Sequence, residues 1–500
     1  MNGGIQSNMQ WKRVGSCAAA LALMMTVGVQ PALAAATPYR LSVPSGYVSS
    51  FSDVQEDDWY YDYVAVLNSR GMIDGYGNGL FGANDPLTSG AALVMVLKAA
   101  GSGDLAATGD HWASGYADYA VSQGYLTREQ IGDLDQPMAR VLVAELAARA
   151  LGVEPSSERS PFSDVDNGYL TALYELGIIT GSEEDGETVF LPDQPITRAE
   201  ISVIVWQVDR VHTYGEQILF QGAYYDILED VPVNTYDPEG FSKDENGYIT
   251  YTEDGVYVTK GVDVSVHQGT IDWQQVADAG FDFAMIRVGY RGYGTEGNMR
   301  GDTQFVNNVQ GALDAGLDVG IYYFSQAITV EEARQEAAYV IEQIAPYRIT
   351  YPVVFDWERQ NYAGSRTQTI PDTDLLCSMA NAFCADIEAA GYEAMIYFYQ
   401  NLAYNNLDLS QLLDYPFWLA QYTDYPSFYY DFDMWQYTSS GKVPGISGNV
   451  DLNLRFFRDG ELPPEDSGDD EGTPPSQDVA SSQDGASEGE DTGSGISQDI

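Results

Sequence analysis

Asp356 and Glu358 stand two residues apart in the apolar run 352–358, and in an extended strand that spacing turns both carboxyls to one face. Two further acids sit in similar apolar runs: Asp263 in Gly261-Val262-Asp263-Val264-Ser265, and Asp451 in Val450-Asp451-Leu452-Asn453. If these strands share one barrel, the four carboxyls gather at one mouth. Carboxyls crowded together and partly withdrawn from water cannot all ionise, so repulsion and burial lift at least one pKa. A proton donor at neutral pH then stands beside acids that remain anionic, the division of labour that glycosidic bond cleavage requires. The only histidines are His111, His212 and His267, too scattered for a multi-histidine metal site or a serine–histidine triad. No metal and no cofactor is expected.

The elements that must position these acids lie between residues 259 and 460. Short apolar strands are expected at 262–265, 283–288, 319–324, 352–358, 394–399, 417–422, 434–437 and 450–454. Helical patterns fill 271–279, 303–315, 331–345, 372–390 and 401–413. Such alternation predicts parallel strands and an irregular β/α TIM-like barrel, with reactive groups at the C-terminal strand ends. Aromatics crowd the same ends: Tyr322, Tyr323, Phe324, Trp357, Tyr397, Tyr399, Trp418, Tyr422 and Trp435. Flat rings suit the apolar faces of sugars, although part of this set must be barrel core. Tyr322, Tyr323, Tyr399, Trp418, Tyr422, Trp435 and Gln436 are the expected substrate-binding residues. Alternatives stay open: Asp263 capping a loop, Asp451 pairing with Arg287 or Arg455, and His267 as a structural histidine. The run Gly289–Gly294 lacks the helix-start spacing of a phosphate cradle and reads as a loop over a sugar site.

Internal similarity marks the N-terminal part. Phe51-Ser52-Asp53-Val54 recurs as Phe162-Ser163-Asp164-Val165, and Pro86-Leu87-Thr88 recurs as Pro195-Ile196-Thr197. A weaker copy lies between them, giving repeats at about 48–100, 108–152 and 160–211. Helix–loop–helix units of this length cannot bury their apolar faces alone, so an all-α helical repeat bundle is expected. Residues 212–258 read as a linker with a hairpin turning at Asp254-Gly255, between Tyr248–Tyr251 and Val256–Val258.

With a formal charge of −51 the chain has no long-range attraction for nucleic acid. Lys12 and Arg13, the apolar run 17–29 and Ala32-Leu33-Ala34 read as a signal peptide over residues 1–34, cleaved without membrane insertion. Residues 461–500, acidic and rich in Ser and Gly, read as a disordered tail. Cys377 and Cys384 lie about two turns apart in one helical pattern, beyond disulfide reach.

The Gly-x-Asp-Val-Ser opening, the central Asp-x-Glu, Trp435-Gln436-Tyr437 and the closing Val450-Asp451-Leu452-Asn453 together resemble glycoside hydrolase family 25, the Chalaropsis-type lysozymes. The resemblance implies hydrolysis of the β-1,4 bond between N-acetylmuramic acid and N-acetylglucosamine in peptidoglycan glycan strands. It assigns Glu358 as general acid/base, with Asp263, Asp356 and Asp451 completing the carboxylate set. The repeats, through Ile196-Thr197-Arg198-Ala199-Glu200 above all, resemble surface-layer homology repeats. That likeness implies anchoring of a secreted protein to an acidic secondary wall polysaccharide through Thr197, Arg198 and Glu200. The first copy has Thr88-Ser89-Gly90-Ala91 and the second Asp135-Gln136-Pro137-Met138-Ala139 in the corresponding place, so one binding groove of three is expected to carry the arginine.

Overall fold

The computed structural model describes residues 41–458, which fall into two compact units, 41–227 and 228–458. The expected signal peptide and acidic tail lie outside the described residues.

The first unit contains helices α1 (Tyr61–Ser69), α2 (Ser89–Ala99), α3 (Ser114–Ser122), α4 (Arg128–Ile131), α5 (Arg140–Leu151), α6 (Gly168–Glu175) and α7 (Arg198–Tyr214). Strands β1 (Ser182–Glu184) and β2 (Glu187–Val189) form a hairpin inside the third repeat, and β3 (Gln217–Phe220) and β4 (Ala223–Asp226) form another after α7. The all-α expectation is thereby overturned. Asp185-Gly186, both at positive φ, makes the two-residue turn that closes β1 onto β2.

The three repeats meet in a closed ring of main-chain hydrogen bonds. Leu87 N donates to Ile196 O (2.8 Å), Ile196 N to Met138 O (3.2 Å), and Met138 N to Leu87 O (3.0 Å). All three side chains are buried in the core. Each repeat thus satisfies its neighbour's backbone, and none of the three segments is complete alone. In the outer repeats a carboxylate holds the loop before this ring: Asp53 accepts from Phe81 N and Gly82 N, and Asp164 from Phe190 N and Leu191 N.

Two residues beyond each ring member stand Ser89, Arg140 and Arg198, whose amides donate to Gln136 O, Gln194 O and Asp85 O. The arginine position is therefore filled in two repeats, not one. Thr197 and Glu200 form a capping box at the start of α7, and Glu200 also pairs with Arg140. Arg198 does not face outward. It is 8 % exposed, stacks over Phe81 (4.7 Å) and Tyr76 (4.9 Å), and donates to Phe81 O (2.7 Å) and Asp74 O (2.5 Å). Its guanidinium is used to tie the third repeat to the first, which removes the forked polymer contact expected of it. Arg140 sits likewise over Phe190 (5.3 Å).

The second unit begins with a segment that packs on the barrel. Strands β5 (Phe241–Lys243) and β6 (Ile249–Tyr251) pair across the turn 244–247, where Asp244 accepts from Asn246 N and Tyr248 N. The hairpin thus turns one strand earlier than expected. Val256 instead opens the first barrel strand, β7 (Val256–Val264).

The barrel then runs through α8 (Trp273–Asp278), β8 (Phe283–Arg291), β9 (Met299–Gly301), α9 (Phe305–Asp314), β10 (Asp318–Ser325), α10 (Val330–Ile344) and β11 (Val353–Trp357). It finishes with α11 (Thr373–Ala389), β12 (Ala394–Tyr399), α12 (Gln400–Asn406), β13 (Phe417–Ala420), β14 (Met434–Gly441) and β15 (Val450–Arg458). Pairing of β8 with β10 closes a ring in the order β7-β8-β10-β11-β12-β13-β14-β15, and β9 folds back on β8. Seven strands run parallel, but β15 is antiparallel to both β14 and β7. The TIM-like expectation gives way to a mixed eight-stranded barrel, because no helix separates the last three strands to carry the chain back.

Replacing Arg198 by alanine leaves the buried Phe81 carbonyl and the part-buried Asp74 carbonyl without their donor and opens a gap between two rings. The repeat unit is expected to lose about 2–3 kcal/mol, read from urea unfolding. An unchanged midpoint would show that Arg198 is no strut.

Candidate active site

The mixed topology brings the acids together. Because β15 runs against its neighbours, its first residues lie at the end where the parallel strands finish, and Asp451 sits directly opposite Asp263 in register. Asp356 is the fourth residue of β11, in register with Phe324 and Tyr397, and Glu358 follows immediately after that strand. Trp357, between them, faces the other way and donates to Ala327 O (2.9 Å).

Neutral amides support this cluster from below. Asp263 Oδ2 accepts from Asn453 Nδ2 (2.8 Å) and Gln436 Nε2 (3.0 Å). Asn453 is held by Trp418 Nε1 (3.0 Å), and Gln436 Oε1 accepts from the Tyr422 hydroxyl (2.9 Å). The alternatives for Asp451 and Asp263 fall away: Arg287 pairs with Asp302 and Arg455 with Glu393, while Asp263 faces amides, not a loop end.

Burial dominates the electrostatics. Glu358 is pushed up to about 7 by burial and by the charge of Asp263, against a hydrogen bond from Tyr397. Asp356 is lifted well above the carboxylate range by burial and by Glu358 and Asp263, with Arg287 opposing. Its Oδ1 is buried with no hydrogen-bond partner among the described residues. Asp263 and Asp451 share a hydrogen bond. Two amide N–H groups favour the anion at Asp263, so the proton resides on Asp451, which burial and the Asp263 charge raise to about 9. The site therefore offers a carboxyl that titrates near neutrality, a shared-proton pair, and an unpaired oxygen facing the same space.

The expected substrate-binding residues divide by strand face. Tyr322 lies among the acids, feeling Asp263, Asp356 and Asp451, and Tyr422 is half-exposed at the rim. Gln436 supports Asp263. Trp418 is buried beneath the cluster, edge-on to Tyr322 and Tyr397, and acts through Asn453. Tyr399 is buried at the end of β12. Two assignments are corrected. Tyr323 faces outward against Tyr339 of α10 (5.9 Å), and Trp435 packs against Phe241 of the hairpin (5.4 Å). Both are neighbours of inward-facing residues, and strand alternation sends them to the opposite side.

Two residues named in the sequence without a site role acquire one: Tyr397, among the strand-end aromatics, reaches Glu358, and Asn453, in the closing motif, orders Asp263. Gln326, unread in the sequence and wholly buried after β10, donates to Glu358 O (2.6 Å) and accepts from Thr367 (2.6 Å). Its polar side chain at the end of an apolar strand was the available signal.

Comparison with known proteins fits this geometry. Residues 262–446 match the profile of the glycosyl hydrolases family 25, and residues 50–92 and 161–201 match the S-layer homology domain. The chain is 28 % identical over 195 residues to an autolytic lysozyme of Clostridium acetobutylicum, a match covering 39 % of this chain and 55 % of that one. It is 29 % identical over 204 residues to lysozyme M1 of Streptomyces globisporus, covering 39 % and 66 %. Over 85 residues it is 35 % identical to a surface-layer 125 kDa protein of Lysinibacillus sphaericus, covering 15 % and 7 %. The chain thus spans between about half and two thirds of the length of the lysozymes it matches. It carries a glycoside hydrolase family 25 domain preceded by S-layer homology domains.

Raised carboxyl pKa values carry a stability consequence. At these groups the folded barrel binds more protons than the unfolded chain, so their contribution to stability is fully present below about pH 4 and is lost as pH rises through about 7 at Glu358 and about 9 at Asp451. Asp451→Asn removes one proton-demanding group. Above pH 7 its barrel is expected to melt about 2–4 °C higher than wild type, with the gap closing at pH 4. A gap independent of pH, followed by near-UV circular dichroism, would contradict the assignment.

Proposed function

We propose that the barrel is an N-acetylmuramidase that hydrolyses the β-1,4 bond between N-acetylmuramic acid and N-acetylglucosamine, in a protein exported to the cell wall. The observation that carries this reading is Glu358, a carboxyl held near pKa 7 beside three other acids at one barrel mouth. In the proposed reaction Glu358 protonates the departing sugar oxygen. The substrate's own acetamido oxygen attacks the anomeric carbon, and Asp356, through its unpaired Oδ1, accepts the acetamido N–H and orients that attack. Glu358, now a carboxylate, takes a proton from water as the water opens the cyclic intermediate, so configuration is retained. The Asp451–Asp263 pair supplies negative charge opposite the developing cation while carrying a single proton. Flat rings at Tyr322 and Tyr422 form the sugar platform.

Glu358→Gln is expected to reduce clearing of a peptidoglycan suspension by about a thousandfold or more. In the wild type, kcat/KM should fall as pH rises through about 7, because the donor loses its proton. Mass spectrometry of the products should find N-acetylmuramic acid at the reducing end. If wild type and Glu358→Gln clear equally slowly, the barrel binds glycan without cutting it; a reducing-end glucosamine would make it a glucosaminidase.

The repeats are proposed to hold the protein on an acidic wall polymer. With Arg198 committed internally, the polymer must be met by other groups of the repeat unit. Deleting residues 41–227 should release the barrel from isolated walls and leave its activity on soluble glycan intact. Undiminished wall binding by the shortened protein would place the anchor in the barrel.

A further inference from the structure

The hairpin β5–β6 lies upstream of the span that matches the hydrolase family, yet it walls a groove beside the carboxyl cluster. The Tyr248 hydroxyl donates to Lys442 O (2.8 Å), which fixes the hairpin end to the loop after β14. Tyr422 and Tyr437 close the far side, and the space is about 390 Å³, within the range of small-ligand sites. Tyr422 belongs to both places. Its ring lines the groove, its hydroxyl bonds Gln436, and its ionisation is opposed first by burial and then by the charges of Asp451, Asp263 and Glu358. The groove therefore opens at the rim of the acid cluster.

Its lining carries two lysines against one carboxylate, Asp424, a sign opposite to that of the chain, whose net charge is −51. The lysines of the sequence are Lys12, Lys98, Lys243, Lys260 and Lys442, and Lys243 and Lys442 both line this groove. Lys442 Nζ donates to Asn449 Oδ1 (2.7 Å), a neutral partner, and no carboxylate among the described residues pairs with its charge. Lys243 pairs with Asp424 (2.7 Å), but the two side chains are 53 % and 76 % exposed. An exposed pair of that kind holds weakly and yields to a competing anion.

We propose that this groove binds carboxylates of the peptide carried on the muramoyl lactate, with Lys442 as the principal contact and Lys243 as the second. The proposal rests on the muramidase reading and names a specificity site for it. A glycan bearing peptide carboxylates meets a protein of its own sign, and salt screens that repulsion only beyond about 10 Å. A cation at the rim offsets it at contact, where a charge-assisted hydrogen bond forms. The tyrosine walls leave room for a short extended peptide between them.

The test uses the full chain on three substrates: peptide-bearing glycan freed of phosphate polymer, the same glycan stripped of peptides by an amidase, and walls still carrying the polymer. Lys442→Gln is expected to raise KM on the peptide-bearing, phosphate-free glycan about three- to tenfold with kcat unchanged. It should leave the stripped glycan unaffected, Lys442→Arg should restore most of the loss, and Lys442→Glu should deepen it. The proposal is overturned by no change, by equal change on stripped glycan, or by a loss confined to walls carrying phosphate polymer. Wild-type inactivity on all three substrates sinks the muramidase reading instead. Calorimetric titration with the soluble stem tetrapeptide then decides the groove, binding by wild type and none by Lys442→Glu supporting it, equal binding or no binding by both overturning it.

Discussion

Withdrawing carboxyls from water without giving them a cation governs the architecture of the barrel mouth. Arg287 is the basic group nearest Asp356 in effect, and it is already spent on Asp302 at 2.9 Å. The four acids must therefore relieve one another by holding protons, and burial pushes each of them upward. Full charge separation would be simpler for stability and useless for the acid catalysis proposed here. On that proposal function and strain share one cause, as in other sites where strain in the folded state is retained because chemistry needs it.

The antiparallel last strand follows from the same constraint. A parallel β15 would deliver its C-terminal residues, Phe457 and Arg458, to the mouth; reversed, it delivers Asp451. The cross-strand register with Asp263 then forces two carboxyls face to face, a pairing that like charges forbid unless one is protonated. Asn453, two residues on and facing the same way, supplies the amide that decides which one. Trp418 orients that amide and Gln436 adds a second, so polarity is supplied with no net charge. A lysine at either place would pair with a carboxylate and remove the shared proton that the proposed donor depends on.

What could be read from the sequence was what depends on short-range order. Asp356 and Glu358 share a face because the strand period is two, and the motif order placed Asp263 and Asp451 beside them. Exposure was not legible. Parallel strands buried on both faces read as unbroken apolar runs. Tyr322 and Tyr323 therefore looked equivalent, although one faces the acids and the other α10. Trp435 and Gln436 divide in the same way. Arg198 was found by motif but assigned a solvent role, since nothing in Thr-Arg-Ala-Glu reveals that Phe81 and Tyr76 enclose the guanidinium. Arg140 is not legible because local similarity points to Asp135-Gln136, whereas the ring of hydrogen bonds counts from Met138. Two turn-forming stretches competed for the linker hairpin. The one that won lets Phe241 reach Trp435, a tertiary contact no local pattern encodes.

Placement of Glu358 past the end of β11 leaves its backbone outside the sheet ladder, where the proton donor proposed for it would wander by more than proton transfer tolerates. The chain compensates with side chains. Gln326 holds the Glu358 carbonyl and receives Thr367, and Thr367 in turn accepts from Gln360 N, so the loop after β11 closes back on its own start. Farther out, Arg366 pairs with Glu332 (2.5 Å), and Arg291 joins buried Glu336 (2.6 Å) while holding Gly297 O (2.9 Å). The glycine-rich run Gly289–Gly294, which reads in sequence as a loop over a sugar site, begins inside β8, and its continuation at Gly297 is tied to α10. The Arg366 and Arg291 ties run to α10 and touch none of the four acids, and the Gln326 tie meets Glu358 only at its backbone carbonyl. They hold the loops around Glu358 from outside, so the mouth itself stays free of competing charges and its proton remains available.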